Sequence, residues 1–252
     1  MQFTYDAYRE LLKLLQSHGY ECADYHNWEK FSRCVILRHD LDFDISRALE
    51  FAKIEANMNA RSTYFVLVHS DAYNALSFRN VDFLNSIMRY GHAIGLHFDE
   101  MSYPEWAGDK DKICAFIREE AAVLSRAIGA PVASVSMHRP SQQILGSDLK
   151  IPDIVNSYGY TFFHEFKYLS DSRCYWREPV KEIITSEQYK RVQILTHPFW
   201  YNKNERGMRG ALLDFVNRAN YDRYCMLQEN VTNLEEAITE NDVTGIRSGN
   251  DR

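Results

Sequence analysis

The chain has 252 residues, of which 45% are hydrophobic, and its 29 lysines and arginines against 35 aspartates and glutamates leave a net charge of −6. This length and apolar content exclude a disordered protein and fit one large domain or two small ones. The acidic excess argues against a nucleic-acid or anionic-membrane partner, because either one requires a basic face on the protein.

The amino terminus predicts an amphipathic helix. Apolar residues recur at helical spacing over residues 8–15, Thr4 is placed to cap the helix, and Gly19 is placed to end it. The segment lacks the basic start and apolar block of a signal peptide, and nowhere do apolar residues run for the roughly 18 positions of a membrane span. The five cysteines are scattered without a CxxC pair, as reduced thiols would be. We therefore expect a cytoplasmic protein.

From Cys34 onward, short runs rich in β-branched and aromatic residues alternate with longer segments of helical period. The predicted strands cover 34–42, 62–70, 93–99, 132–140, a segment that starts at Tyr160, and 191–201. The predicted helices cover 46–60, 81–90, 110–129, 151–159 and 211–238. Such alternation specifies βαβ units. The sequence thus predicts a single α/β domain, either a closed barrel of parallel strands or an open doubly wound sheet.

Acidic residues and histidines fall at the carboxyl ends of several predicted strands. Asp40 and Asp42 end the first strand, and His97, His138 and His197 end later ones. In parallel α/β folds the strand ends meet at one rim, where active sites form. A lone histidine is more often a surface or hydrogen-bonded residue, and an aspartate after a strand commonly caps a helix. The prediction of a site therefore depends on the convergence of these residues.

The sharpest local signal is the pair Asp40 and Asp42 in LRHDLDFD. The two lie on the same side of an extended chain, where their charges repel unless a cation or a proton intervenes. A divalent metal bound by one carboxylate would leave the other as a base, although an inert acidic turn has the same spacing. Arg139, next to His138, has a guanidinium fork suited to orienting a carboxylate such as Asp40.

Five blocks of the sequence resemble, in order, the conserved blocks of the polysaccharide deacetylase family, also called the NodB-homology or carbohydrate esterase 4 family, and more closely its WbmS-like branch. They are LRHDLDFD, GHAIGLHFDE, SMHRPS, YLSDSRCYWRE and ILTHPFWY. The resemblance implies a distorted (β/α)7-type barrel over 34–238, with a helical extension over 1–33, C-terminal helices and a polar tail over 239–252. It also implies removal of N- or O-acetyl groups from a sugar or oligosaccharide, with a surface-polysaccharide precursor as the expected substrate. The implied cofactor is a divalent metal, for which zinc is expected.

The resemblance also implies roles for individual residues. These are Asp40 as the base that takes a proton from the attacking water, Arg139 as the arginine that steadies it, Asp42 and His97 as metal ligands, Asp171 as the fourth-block aspartate beside the acid, and His197 as the general acid. Trp176 matches the tryptophan of the fourth block. Both Trp176 and Trp200 are expected to stack on sugar rings, with core packing as the alternative for at least one of them.

The chain departs from the family at Met101. The family's second metal histidine stands four residues after the first, and here that position after His97 is a methionine. A thioether is a poor zinc ligand beside carboxylate and imidazole, so either the third ligand comes from elsewhere or the metal is weakly held. His138 is the first candidate and Asp99 the second. Two alternatives stay open: a non-catalytic relative that has lost the metal and serves in glycan binding or assembly, and a metal hydrolase of a non-sugar amide.

Overall fold

The computed structural model describes residues 1–243, and two compact units divide the chain, Met1–Glu205 and a second that begins at Arg206. The strands of the first unit are β1 (Glu21–Ala23), β2 (Cys34–Leu41), β3 (Thr63–Leu67), β4 (Ala93–Phe98), β5 (Ser134–Met137), β6 (Val155–Asn156), β7 (Lys167–Ser170) and β8 (Arg191–Thr196). Its α-helices are α1 (Tyr5–Ser17), α2 (Ala48–Asn57), α3 (Phe78–Arg89), α4 (Lys110–Ile128), α5 (Gln142–Leu145) and α6 (Val180–Thr185).

The second unit is helical. Its long helix α7 covers Gly207–Asn230, and single 3-10 turns follow at Leu234–Glu236 and Glu240–Asp242. None of the helices within residues 1–243 combines the length and the apolar character that a membrane crossing needs. Of the predicted polar tail, residues 244–252 lie outside the described residues.

The strands form one parallel sheet in the order β6-β5-β4-β3-β2-β8-β7, and β1 pairs with β2 off this path. The sheet curls into a half-barrel that ends at β6 on one side and at β7 on the other. Helices or single helical turns lie between the successive strands, since parallel neighbours need a crossover connection. The predicted fold class, an α/β distorted barrel, is confirmed.

The interior strand β2 carries charged residues through the core. All eight of its residues are buried, as expected for a strand covered on both faces. Because side chains alternate along a strand, Arg38 and Asp40 share one face, where Arg38 contacts Ser136 of β5. His39 points to the other face and packs against Phe51 of α2, with ring centroids 5.4 Å apart. The strand therefore separates two polar groups that are adjacent in sequence.

A buried carboxylate, Glu55 of α2, organises the outer face of β2. It accepts hydrogen bonds from Tyr8 of α1 (2.5 Å), Tyr64 of β3 (2.6 Å) and Ser62 (2.6 Å), and Nε2 of His39 lies 2.8 Å away. Burial alone would raise the pKa of Glu55, but its contacts, above all with His39, lower that pKa to about 2. The carboxylate is thus ionised and joins two helices to two strands.

The predicted bounds of the first helix are confirmed. Thr4 accepts a hydrogen bond from the backbone N–H of Ala7 at 3.1 Å, which caps α1. Gly19 adopts a left-handed φ of 71° just beyond the helix end, a conformation that glycine takes without steric cost.

Two predictions between β5 and β7 are wrong. The apolar spacing over 151–159 favours a helix, but the segment holds only the short strand β6 between turns. Asp153, directly after Pro152, has a left-handed φ of 63°, which a helix does not accommodate. The strand expected from Tyr160 begins only after a single-turn π-helix at Thr161–Glu165.

Candidate active site

The carboxyl ends of four strands bring the candidate side chains to one edge of the sheet. Asp42 lies one residue past β2, His138 one past β5, and His197 one past β8, while His97 is the last but one residue of β4. The parallel register places these ends side by side, with His97 level with Ser136 of β5. Residues far apart in sequence therefore meet where parallel α/β folds form their sites.

Three potential ligand atoms form a nearly equilateral triangle. Oδ1 of Asp42 lies 3.2 Å from Nε2 of His97 and 3.4 Å from Nδ1 of His138, and the two nitrogens are 3.1 Å apart. Tetrahedral zinc, with bonds of about 2.0–2.1 Å, holds its ligand atoms about 3.3 Å apart. Within residues 1–243, the buried Oδ1 of Asp42 has no hydrogen-bond partner. The spacing and the donor set therefore fit a divalent cation.

Contacts behind the triangle orient its members. Nδ1 of His97 lies 3.0 Å from Oγ of Ser136 and 3.3 Å from the carbonyl oxygen of the same residue, which turns Nε2 toward the triangle. Burial alone would raise the pKa of Asp42, but its contacts with His138 and His97 hold that pKa well below its ordinary value. Asp42 is therefore anionic and is a candidate metal ligand.

Asp40 lies beside the triangle and is paired with Arg38. Nε of Arg38 donates to Oδ1 at 2.9 Å and Nη2 donates to Oδ2 at 2.7 Å, in the bidentate geometry of strong arginine–carboxylate pairs. Oδ2 of Asp40 is also 3.6 Å from Nε2 of His97. Burial would raise the pKa of Asp40, but Arg38 and His97 lower it, so this carboxylate is ionised next to the candidate metal site.

The prediction that Arg139 steadies Asp40 is wrong. The guanidinium of Arg139 contacts the carboxylate of Asp99, and its side chain is 61% exposed. Arg38 takes the place beside Asp40 because the two residues share one face of the same strand. Asp99, the second candidate for the third ligand, also accepts a hydrogen bond from the N–H of Met101 at 3.1 Å, and it is not part of the triangle.

His197 forms a buried pair with Asp171. Nδ1 of His197 lies 2.6 Å from Oδ1 of Asp171, and the backbone N–H of His197 donates to both carboxylate oxygens at 3.1 Å. Burial lowers the pKa of His197, but the charge of Asp171 and the hydrogen bond to it outweigh this effect and raise that pKa to about 9. Nε2, on the other side of the ring, is 3.7 Å from Oδ2 of Asp42. The expected contact between Asp171 and His197 is present, and it leaves Nε2 of His197 facing the triangle.

An open cleft of about 600 Å³ adjoins the triangle. Asp42, His138, Arg139 and His69 are among the residues that line it. Met101 also lines the cleft, with 59% of its surface exposed. The position where the sequence resemblance implies a second metal histidine thus lies in a wall of the cleft, and His138 of a neighbouring strand end completes the triangle.

The two tryptophans expected to bind sugar are both buried. Trp176 is 8% exposed and Trp200 is 6% exposed. Trp200 packs against Phe199 and Phe43, with ring centroids 4.9 and 6.2 Å away. Neither side chain offers an open ring face, so their burial favours the core-packing alternative.

Sequence reasoning misses two residues of this site, Arg38 and Ser136. The two-residue spacing that puts Asp40 and Asp42 on one face of β2 also includes Arg38, so its signal is present in LRHDLD. Ser136 has no such signal, because a serine inside a short apolar strand is indistinguishable from an ordinary core position.

No protein-family model and no curated protein matches this sequence. Among solved structures, the chain is similar to a CE4 family pseudoenzyme from Bacillus anthracis, with 12% identity and a TM-score of 0.44 over 75% of this chain and 64% of that chain. This chain thus spans a little less than two thirds of that protein. It is also similar to a family 4 acetyl xylan esterase from Clostridium thermocellum in complex with a cobalt ion, with 15% identity and a TM-score of 0.42 over 75% of this chain and 84% of that chain. A Streptococcus pyogenes deacetylase in complex with acetate has 11% identity and a TM-score of 0.44 over 82% of this chain and 84% of that chain.

Proposed function

We propose that the protein is a divalent-metal-dependent hydrolase that removes an acetyl group from an N- or O-acetylated sugar. One observation carries the proposal: the triangle of Asp42, His97 and His138 lies within 4 Å of a histidine that a buried aspartate holds. A Lewis acid next to a proton donor is the combination that acyl-group hydrolysis requires.

Asp42, His97 and His138 would hold the metal, and zinc is the ion that we propose. When bound there, the metal supplies a Lewis acid for the acetyl carbonyl and makes water more acidic. The contribution of the chain is to present one carboxylate and two imidazole groups and to fix the orientation of His97 through Ser136. These residues leave one side of the triangle toward the cleft, where a substrate would enter.

Asp40 is the proposed general base. Its carboxylate is ionised, it lies 3.6 Å from His97, and Arg38 fixes both of its oxygens. A carboxylate held in this way accepts a proton from water during attack on the acetyl carbon without having to reorient. Its burial keeps bulk water from competing for the same proton.

His197 is the proposed general acid. Its raised pKa, about 9, keeps the ring protonated at neutral pH. Because Nδ1 is bonded to Asp171, the proton available for transfer is the one on Nε2, which faces Asp42. Donation from Nε2 to the departing nitrogen or oxygen of the sugar completes cleavage, since an amine anion would otherwise have to leave.

A sugar substrate is proposed from the resemblance of the five sequence blocks, together with the cleft. The cleft volume of about 600 Å³ falls within the roughly 300–1,000 Å³ that is typical of small-molecule sites. We further propose that the acetylated sugar belongs to a surface-polysaccharide precursor, and a panel of acetylated donors tests this.

The test is acetate release from N-acetylated and O-acetylated sugar donors. The wild-type protein is assayed as purified, after chelation, and after zinc is restored, beside Asp40→Asn and His197→Ala. We expect chelation to abolish release, zinc to restore it, and each variant to lose about 100-fold or more in kcat. His26→Ala replaces an exposed histidine outside the site and serves as the matched control with wild-type activity.

Two results would overturn the proposal. One is a metal-loaded wild-type protein that releases no acetate from any donor, and the other is release that chelation and both variants leave unchanged. Elemental analysis of the purified protein accompanies the assay. A protein without a stoichiometric divalent ion, and without activity after metal is added, would support the non-catalytic alternative.

A further inference from the structure

Arg38 is the most deeply buried charged residue of β2. It has 0% exposure, and its guanidinium engages Asp40 through two parallel hydrogen bonds of 2.9 and 2.7 Å. The same Nη2 atom contacts Oγ of Ser136, which lies 3.0 Å from Nδ1 of His97. One side chain thus contacts the proposed base directly and reaches a proposed metal ligand through one hydroxyl.

Aromatic rings hold this guanidinium in place. Its central carbon lies 4.7 Å from the ring centroid of Tyr158 and 5.4 Å from that of Phe65. The hydroxyl of Tyr158 accepts a further bond from Nη2 at 3.3 Å. Stacking of this kind suits the planar guanidinium and not an ammonium group, so Arg38 has little freedom to turn away from Asp40.

A buried ion pair is a poor device for stability alone. Removal of two charges from water is so unfavourable that apolar residues of similar volume are often as stable or more so. In the part of the chain that the structure describes, Nη1 of Arg38 has no hydrogen-bond partner, so the pair does not even satisfy all of its donors. The geometry is instead the one that fixes both oxygens of a carboxylate beside the cation triangle.

We propose that Arg38 is the positioning residue of Asp40, supplied by the same strand two residues earlier, and that it holds the base in the orientation needed for proton transfer. This inference rests on the proposed deacetylation. The proposal gives Arg38 the function of steadying Asp40, which the sequence resemblance implies for Arg139. In the structure, Arg139 is paired with Asp99.

A double-mutant cycle tests whether Arg38 acts through Asp40. The proteins are wild type, Arg38→Met, Asp40→Asn and the double variant, each loaded with zinc and checked for metal content. We expect each single variant to lose about 100-fold in kcat and the double variant to lose no more than Asp40→Asn alone. The double variant should also melt at a higher temperature than Arg38→Met, because it leaves no unpaired carboxylate in the core.

Arg38→Lys keeps the charge and removes the fork, which keeps the test valid if Arg38→Met does not fold. We expect Arg38→Lys to lose roughly 10- to 100-fold in kcat with an unchanged KM, because a misplaced base slows the chemical step without weakening substrate binding. Arg33→Met, which breaks a surface contact with Glu187, is the matched control and should keep the wild-type kcat.

The outcomes separate the two proposals. The role of Arg38 would be overturned if the losses in kcat multiply in the double variant, or if Arg38→Lys keeps the wild-type kcat. In either case, acetate release by the wild-type protein would still support the proposed function. A wild-type protein that releases no acetate in the same assay would instead count against the proposed function.

Discussion

The potential ligand His138 follows β5, whereas the potential ligand His97 lies on β4. This difference has a direct consequence for metal binding. Nδ1 of His138 lies within 3.4 Å of both other ligand atoms. Met101, at the position where the sequence resemblance implies a metal histidine, is 59% exposed in the cleft wall. The candidate ligand set therefore depends on the loop after β5 and not on the turn after β4.

Replacement of His138 is expected to weaken metal binding. His138→Ala leaves two of three ligand groups, and we expect zinc affinity to fall by at least about 100-fold, because even the loss of a group that only supports a ligand lowers affinity about 10- to 100-fold. Isothermal titration with zinc measures the effect. Met101→Ala is the control, and we expect its zinc affinity to match that of the wild type. Equal affinity in His138→Ala would show that this residue is not a ligand.

At this scale, the sequence allows prediction of those residues whose position is fixed by the end of a strand. Asp42, His97 and His138 are brought together as their strand ends predict. The partner of Asp40 is harder to predict, since the sequence offers two arginines, Arg38 and Arg139, that could each reach its carboxylate. The shared face of β2 favours Arg38, and the structure pairs Arg139 with Asp99 instead.

A glycine of β4 makes room for the core beneath His97. A Cβ atom on Gly95 would lie 2.5 Å from two ring carbons of Phe65 and 2.9 Å from Oγ of Ser134, closer than real contacts allow. Phe65 is fully buried on β3 and faces Gly95 in the strand register. The close approach of these strands therefore requires glycine at this position.

We expect Gly95→Ala to destabilise the protein by about 1–3 kcal/mol, the usual effect of overpacking in a dense core. Chemical denaturation measures the loss. Ala93→Ser, at the exposed first position of the same strand, is the control and should change stability by less than about 0.5 kcal/mol. Wild-type stability in Gly95→Ala would show that Phe65 moves aside freely.

The carboxylate between the helices and β2 predicts a specific acid response. The pKa of Glu55 is lowered from 4.5 to about 2, so its contribution to stability is complete above about pH 4.5 and is lost as the pH falls toward 2. We expect this contribution to be about 3 kcal/mol. The free energy of unfolding, measured by chemical denaturation, should fall less between pH 6 and pH 3 in Glu55→Gln than in the wild type. Glu10→Gln, which removes an exposed pair with Lys181, is the control and should lose as much stability in acid as the wild type. An acid response of Glu55→Gln identical to that of the wild type would contradict the prediction.

Elements with strong periodicity are predicted well, and the segment between β5 and β7 is not. The spacing of apolar residues in 151–159 matches a helix, but Pro152 and the left-handed Asp153 impose turns on it. The π-helix at Thr161–Glu165 has the aromatic content of a strand, which is why its start at Tyr160 resembles one. Such short segments are determined by their packing on the half-barrel and not by their own pattern.

For the molecule as a whole, metal binding should be linked to folding. The triangle joins the ends of β2, β4 and β5, and the unfolded chain has no equivalent site. At a zinc concentration 100 times the Kd, binding adds about 2.7 kcal/mol to the free energy of unfolding. We therefore expect zinc to raise the melting temperature by several degrees over the chelated protein. His138→Ala should melt at nearly the same temperature with and without zinc, because its weaker binding adds little stability at this zinc concentration. A wild-type melting temperature that does not change with zinc would contradict the linkage.

The alternation along β2 makes this strand intolerant of changes in length. On one face it carries the ion pair of Arg38 and Asp40, and on the other His39 contacts the helical layer. Loss of a single codon within 34–37 would turn every later side chain of the strand to the opposite face, so the guanidinium of Arg38 and the imidazole of His39 would exchange environments. A mutational scan should accordingly find conservative point changes tolerated at several of these positions and one-residue deletions tolerated at none.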